Sequence, residues 1–233
     1  MQGAKLRQKL IAGEAIGMIN PHQTSATLAG RLTELGADAI FVDCEHGAWG
    51  YEDVRVTGQI VRGAQGAIIV RPDSHQRSSI IRYLNVGADG LMVPMVNTAA
   101  EAREIVDTVR YACPRDYDDR LIVCMIESAD TVKNELDSML EVDGVDVFFL
   151  GPNDLAQSMG YPSFTPYGSE PPADVDEMVE LALAKITAAG KIGGTLTRLE
   201  RVDHWLEKGA RLIYYHSDPI LRDGIAAFQN KLG

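Results

Sequence analysis

The sequence predicts a single closed (β/α)8 barrel. Three observations predict it: eight short apolar runs spread along 233 residues, amphipathic segments between them, and a glycine-led turn that recurs just before the runs. The runs are Ala15–Ile19, Ala39–Asp43, Ala67–Arg71, Gly90–Val93, Leu121–Ile126, Val145–Leu150, Lys191–Leu196 and Arg211–Tyr215. They are nearly continuous in apolar residues, as strands covered on both faces must be, and alternation with helices favours parallel pairing. Between them, Ala99, Ala102, Val106 and Val109 share one helical face, as do Val175, Val179, Ala182 and Ile186 and, last, Leu221, Ile225 and Phe228. The turns Gly36-Ala37-Asp38, Gly87-Ala88-Asp89 and Gly209-Ala210-Arg211 place a residue tolerant of positive φ where a helix ends and a strand begins. An open doubly wound sheet is the alternative, but eight strands favour closure.

Composition narrows the function. Eight strand–helix units use nearly the whole chain, and no Pro/Ser-rich linker divides it, so residues 1–233 are expected to form one catalytic domain. A net charge of -11 and a pI near 4.9 argue against nonspecific nucleic-acid binding. The N-terminus lacks the apolar core of a secretory signal, and no stretch approaches the roughly 18 apolar residues of a membrane span, so a cytoplasmic protein is expected. Three cysteines, Cys44, Cys113 and Cys124, are an odd number without metal-type spacing, which suits a reducing compartment. No glycine-rich phosphate loop opens a helix after a strand.

In such a barrel the chemistry sits at the C-terminal ends of the strands. The second strand ends in Asp43-Cys44-Glu45-His46, the third in Arg71-Pro72, the fifth in Glu127 and the sixth in Gly151-Pro152-Asn153-Asp154. Glu127 closes an apolar run, where an unpaired carboxylate would be strongly desolvated unless a cation or a hydrogen-bond donor met it. With Asp154 one strand over, it describes a hard oxygen site suited to Mg²⁺ or Mn²⁺, with Co²⁺ as a further candidate; capping a helix is the other role open to Asp154. His46, beside Asp43 and Glu45, has the neighbours of a general base, and Arg71 can donate paired N–H groups to a substrate oxygen or bridge to those acids. The main-chain N–H groups of Asn153 and Asp154 could cradle a carboxylate. His22 and His216 fall on the active face but read as turn or capping residues, His75 and His204 as solvent-facing helical residues, and Trp49 and Tyr51 as entrance-lining or helix-stapling groups. Acidic neighbours raise the Cys44 thiol, which removes it as a nucleophile.

At these residues the chain resembles the HpcH/HpaI aldolases, metal-dependent class II pyruvate aldolases. The likeness runs through Phe41-Val42-Asp43-Cys44-Glu45-His46, Val70-Arg71-Pro72, Gly87 to Met95 with Ala99 to Arg103, Ile126-Glu127, and Gly144 to Leu155. The resemblance implies that Glu127 and Asp154 bind the metal, that Arg71 contacts the pyruvate keto oxygen, and that His46, helped by Asp43, takes and returns protons. It further implies a hexamer whose last helix is exchanged between subunits, acting on a 2-oxo acid and an aldehyde. A 4-hydroxy-2-oxo acid is then the expected substrate; an oxaloacetate-type decarboxylase and a non-catalytic binding barrel are the other readings. Four features depart from the family pattern: Met125 where glutamine is usual, Asn85 where aspartate is frequent, a shortened Ala112–Asp119 loop expected to help cover the mouth, and a proline-rich Tyr161–Pro172 insertion expected to cover it instead.

Overall fold

Each apolar run becomes a strand of one closed parallel barrel in the computed structural model, which describes residues 2–162 and 171–232. After an N-terminal helix α1 (Gln2–Ile11), strands alternate with helices: β1 (Ile16–Asn20), α2 (Ala26–Glu34), β2 (Ala39–Asp43), α3 (Tyr51–Gly63), β3 (Ala67–Arg71), α4 (Arg77–Asn85), β4 (Gly90–Val93) and α5 (Ala99–Ala112). The second half runs β5 (Leu121–Ile126), α6 (Leu136–Leu140), β6 (Val147–Leu150), α7 (Pro152–Ser158), α8 (Ala173–Ala188), β7 (Ile192–Leu196), α9 (Val202–Glu207), β8 (Ala210–His216) and α10 (Ser217–Leu232). β8 closes the ring on β1, pairing Ile16 with Leu212 through Asn20 with His216. The expected strands are all present. Four strands shift at their ends: β1 starts one residue later and reaches Asn20, β6 begins at Val147, β7 begins at Ile192, and β8 runs from Ala210 to His216.

Alternation of side chains along a strand sorts the core into two layers. Ile40, Val42, Ile68 and Val70 point outward to the helices, whereas Met18, Phe41, Ile69, Val123, Phe149 and Tyr214 fill the barrel interior. Leu6 and Leu10 of α1 join the interior cluster and close its lower end.

The recurrent glycine turns have the geometry expected, with φ of 114° at Gly36, 103° at Gly87 and 98° at Gly209. At Gly36 and Gly87 the aspartate two residues on has its own function. Asp38 accepts from Gly17 N (2.9 Å) and Asp89 from Ile68 N (3.1 Å), and Asp146, after Gly144, accepts from Ile122 N (2.8 Å). The acids before β2, β4 and β6 thus satisfy main-chain donors at the starts of β1, β3 and β5, stapling the strands in pairs at the lower rim.

The expected apolar faces of α5 and α8 are buried against the barrel. That of α10 is not: Leu221, Ile225 and Phe228 are 50–61 % exposed, and of its sixteen residues only Ser217 is buried. The reason is local. Ser217 begins the helix directly after the last residue of β8, with no loop to turn it back over its own barrel. All three cysteines are free and buried, and burial pushes the thiols of Cys44 and Cys124 up to about 12. For Cys44 that desolvation outweighs the acidic neighbours expected to dominate. Among the described residues no helix is long and apolar enough to cross a membrane. Residues 163–170 of the Tyr161–Pro172 insertion lie outside those described.

Candidate active site

The alternation that fills the interior also decides what faces the mouth. Two residues beyond Phe41 stands Asp43, beyond Ile69 Arg71, beyond Met125 Glu127, and beyond Phe149 Gly151. These positions line a cavity of about 600 Å³ at the C-terminal ends of the strands, together with His46, Asn153 and Asp154. Every residue expected at the site borders it.

Glu127 is 2 % exposed, and its Oε2 accepts from Met95 N at 2.8 Å. Met95 holds φ at 53°, an unusual conformation for a side-chain-bearing residue, which aims its N–H at the carboxylate. On the other side Gly151 leaves just enough room: a Cβ there would lie 2.6 Å from Glu127 Oε1. Burial pushes the Glu127 carboxyl up to about 7; the Met95 N–H opposes this and the neighbouring Asp154 adds to it. Among the described residues neither Glu127 nor Asp154 makes an ion pair. Asp154 is in the first turn of α7, whose N-cap is Gly151, so it is not the capping residue. Asn153, beside it, holds a buried Oδ1 with no hydrogen-bond partner.

Two adjacent carboxylates, one deeply buried and neither in an ion pair among the described residues, fit a divalent hard cation. No cluster of three or more His, Cys, Asp or Glu suited to a metal occurs among the described residues. Two protein oxygens with the remaining positions left to water or substrate are the pattern of an open, Mg²⁺-type site rather than a closed structural one.

Arg71 grips Asp43 with both arms of its fork, Nε to Oδ1 at 2.9 Å and Nη2 to Oδ2 at 2.6 Å, and its Nε is 3.2 Å from Glu45. Burial pushes the Asp43 carboxyl up, but the Arg71 guanidinium outweighs it and holds the group below the ordinary range. Asp43 also accepts from the main-chain N–H groups of Glu45 and His46 at 3.2 Å. This changes the expected division of labour. Asp43 orients Arg71 and shapes its own loop, while the His46 ring, 66 % exposed, stands 3.8 Å from Glu45. Glu45 is therefore the carboxylate nearer the imidazole.

Residues 18–218 match the HpcH/HpaI aldolase/citrate lyase family. The chain belongs to this family. Among curated relatives it is 30 % identical to a 2-keto-3-deoxy-L-rhamnonate aldolase of Klebsiella pneumoniae, over 82 % of this chain and 78 % of that one. It is 31 % identical to a hydroxypyruvate/pyruvate aldolase of Roseovarius nubinhibens, over 80 % and 77 %. Among solved structures, an HpcH/HpaI aldolase/citrate lyase family protein from Burkholderia cenocepacia superposes with a TM-score of 0.86 at 24 % identity, over 98 % of this chain and 99 % of that one, a likeness of fold.

Within this HpcH/HpaI barrel, the departures from pattern sort by position. Met125 faces the mouth, so the change from glutamine bears on the site. Asn85 is exposed at the end of α4, and Ala112–Asp119 precedes β5, which places both at the opposite rim. There Asp118 pairs with Arg7 of α1 at 3.4 Å, so this loop does not cover its own chain's mouth. Trp49 is buried and lines the cavity, whereas Tyr51 packs on Tyr83 with ring centroids 4.8 Å apart. His75 is exposed in the loop before α4, not in a helix, and His204 on α9 is half-buried, 3.1 Å from Glu180.

Sequence reasoning set His22 and His216 on the active face but missed Asn20 and Tyr214 and the polar wall that the four form on β1 and β8. His216 is the buried last residue of β8 rather than a turn residue, and its Nδ1 meets Nε2 of His22 in a short contact. Next to them Asn20 Nδ2 donates to Tyr214 Oη at 2.7 Å. The signal was available: Asn20 lies two residues beyond interior Met18, and Tyr214 and His216 lie two and four beyond interior Leu212.

Proposed function

We propose that this chain, as a single catalytic domain over residues 1–233, is a divalent-metal-dependent aldolase that cleaves or forms the C3–C4 bond of a 4-hydroxy-2-oxo acid. The observation that carries this is the pair Glu127 and Asp154, beyond the ends of adjacent strands, Glu127 buried and Asp154 half-buried beside it, neither in an ion pair among the described residues and both lining one cavity with Arg71. A cation held by these two carboxylates, Mg²⁺ or Mn²⁺ by the hardness of the donors and Co²⁺ as a further candidate, supplies Lewis-acid stabilisation of the negative charge that develops on the 2-oxo oxygen.

The chain's residues do the rest. Arg71, its plane fixed by Asp43, donates N–H to the same oxo oxygen. Asn153 and Asp154, whose N–H groups open α7, donate to the substrate carboxylate. In the cleavage direction His46, steadied by Glu45, accepts the proton of the 4-hydroxyl; the C3–C4 bond breaks, the aldehyde leaves, and the electron pair forms the pyruvate enolate, which is protonated at C3. In synthesis the same ring returns the proton to the new alkoxide. The family membership and the two aldolase relatives support this reading. The uncovered apolar face of α10 supports assembly of a homo-oligomer, a hexamer by family resemblance, with this helix exchanged between subunits. Buried free thiols accord with a cytoplasmic setting.

The test is enolate formation without an aldehyde. Pyruvate in D₂O with enzyme and Mg²⁺ or Mn²⁺ should lose its C3 protons by NMR, and added short aldehydes should yield 4-hydroxy-2-oxo acids. Decarboxylation of oxaloacetate with neither exchange nor aldol product would overturn the assignment.

A further inference from the structure

The buried Glu127 carboxylate takes its direction from the turn after β4, and that turn is held in a disfavoured shape. Met95 donates its N–H to Glu127 Oε2 at 2.8 Å with φ at 53°, a backbone conformation that side-chain-bearing residues seldom adopt. This N–H belongs to the peptide before Met95, so φ sets the angle between that peptide and the next one. The next peptide is gripped at both of its groups. Val96 N donates to the Met125 carbonyl at 3.2 Å, and Asn97 Nδ2 donates to the Met95 carbonyl at 3.0 Å.

Asn97 is itself held. A carbonyl only accepts, so the bond to Met95 assigns Nδ2 and turns Oδ1 the other way, where Thr131 Oγ1 donates to it at 2.8 Å. Glu101 Oε2 accepts from the main-chain N–H groups of Asn97 and Thr98 at 2.7 and 3.0 Å, which ties the Asn97 backbone to the start of α5. Thr131 is 2 % exposed and opens a π-helical turn, Thr131–Glu135, in the stretch that follows Glu127. The bonds therefore form a circuit, from the Glu127 carboxylate through Met95, Asn97 and Thr131 back to the chain segment that carries Glu127. The same segment reaches the other acid: Ala129 N donates to Ser158 Oγ at 2.9 Å, and Ser158 Oγ donates to the carbonyl of Leu155, next to Asp154, at 2.6 Å. Neither Asn97 nor Thr131 lines the cavity, so neither touches the ion or the substrate.

We infer that Asn97 is a positioning residue for the metal site: with Thr131 behind it, its side-chain amide holds the left-handed Met95 turn and so aims Glu127 at a divalent cation. The inference rests on the metal-site reading above. Without the amide, Met95 relaxes towards negative φ, its N–H leaves Glu127, and the carboxylate loses the donor that fixes its plane.

The test is Mn²⁺ binding to the full chain without turnover, followed by the electron paramagnetic resonance of the free aqua ion. Asn97→Ala should weaken binding by about tenfold, and Thr131→Val, which keeps the shape and lacks only the hydroxyl, by about threefold, the scale of one lost hydrogen bond. Thr131→Ser keeps the donor and should bind within about twofold of wild type. Asparagine tolerates positive φ, so Met95→Asn combined with Asn97→Ala should recover part of the affinity that Asn97→Ala loses. The spectrum of the bound ion should also change in Asn97→Ala, because a displaced carboxylate alters the ion's surroundings, whereas a general loss of stability would leave it as in wild type. The threonine pair decides the matter even where Asn97→Ala folds poorly. Wild-type affinity in Thr131→Val and in folded Asn97→Ala, a Thr131→Ser protein no better than Thr131→Val, or a double variant no better than Asn97→Ala would overturn the inference. Wild type that binds Mn²⁺ alongside unaffected variants refutes only the positioning role; wild type that binds no Mn²⁺, with or without pyruvate, refutes the metal-site reading with it.

Discussion

A methyl group at Gly151 offers a sharp trial of the metal site because the substitution touches neither ligand chemically. The backbone there, φ -94° and ψ 92°, is open to alanine, so the chain need not refold around it. The added Cβ would stand 2.6 Å from Glu127 Oε1 and 2.8 Å from Cγ, about 0.8 Å inside ordinary contact at 3.4 Å. Glu127 is 2 % exposed and tied to Met95 N, so the side chain cannot yield without moving its carboxylate by a comparable amount. Metal–ligand distances tolerate only about 0.2 Å. Gly151→Ala should therefore weaken Mn²⁺ binding by about 10- to 100-fold, the range seen when ligand-orienting contacts are lost, and lower turnover in step. Titration calorimetry with Mn²⁺ in the presence of pyruvate reads the affinity, and far-UV circular dichroism checks the fold. Gly63→Ala, where nothing lies within 4 Å of the new Cβ, is the control. Wild-type Mn²⁺ affinity in a folded Gly151→Ala protein would show that the Glu127 carboxylate does not hold the ion where proposed.

Glu127→Gln should abolish metal binding and turnover, yet make the metal-free protein sturdier at high pH. With the carboxyl raised from 4.5 to about 7, the folded state keeps its proton longer than the unfolded chain, so stability is full below pH 4.5 and falls as pH rises through 7. Glutamine should remove that loss, at most about 3 kcal/mol at pH 8 and nothing at pH 4, and parallel urea-unfolding curves for both proteins at the two pH values would refute it. His46→Ala should leave Mn²⁺ affinity intact and cut kcat by about 10²-fold or more, and an undiminished steady-state rate would remove the ring from the chemistry. Phe228→Asp, in the middle of the uncovered α10 stripe, should lower the mass measured by light scattering, and an unchanged mass would show that this face does not hold subunits together.

Much of this architecture could be read from the residues, and the parts that could not share a cause. Periodicity located the strands because two-sided burial leaves a continuous apolar run, and glycine marked the turns because positive φ at Gly36, Gly87 and Gly209 is a local demand. Both signals act within a few residues. The α10 stripe was equally visible, but an apolar face shows that burial is wanted and not against what; only the direct passage from β8 into the helix shows that the chain's own barrel does not supply it. Ala112–Asp119 was expected over the mouth from family habit, although its place between a helix and the next strand puts it at the lower rim.

The polar wall is the more instructive omission, because the rule that placed Asp43 and Arg71 places it too. Counting in twos from the interior residues Phe41 and Ile69 leads to those side chains; counting from Met18 and Leu212 leads with equal force to Asn20, Tyr214 and His216. The strand was read as ending at Tyr215, one residue short, and His216 passed for a turn residue. Gly151 follows from the same parity, two beyond Phe149, but its purpose does not: that a glycine is needed depends on Glu127 arriving from the neighbouring strand. Parity along one strand identifies which positions face the reaction space, whereas the pairing of strands decides which of them must be small, charged or hydrogen-bonded. The lower-rim staples of Asp38, Asp89 and Asp146 obey the same division, each a local residue whose partner is the main chain of another strand.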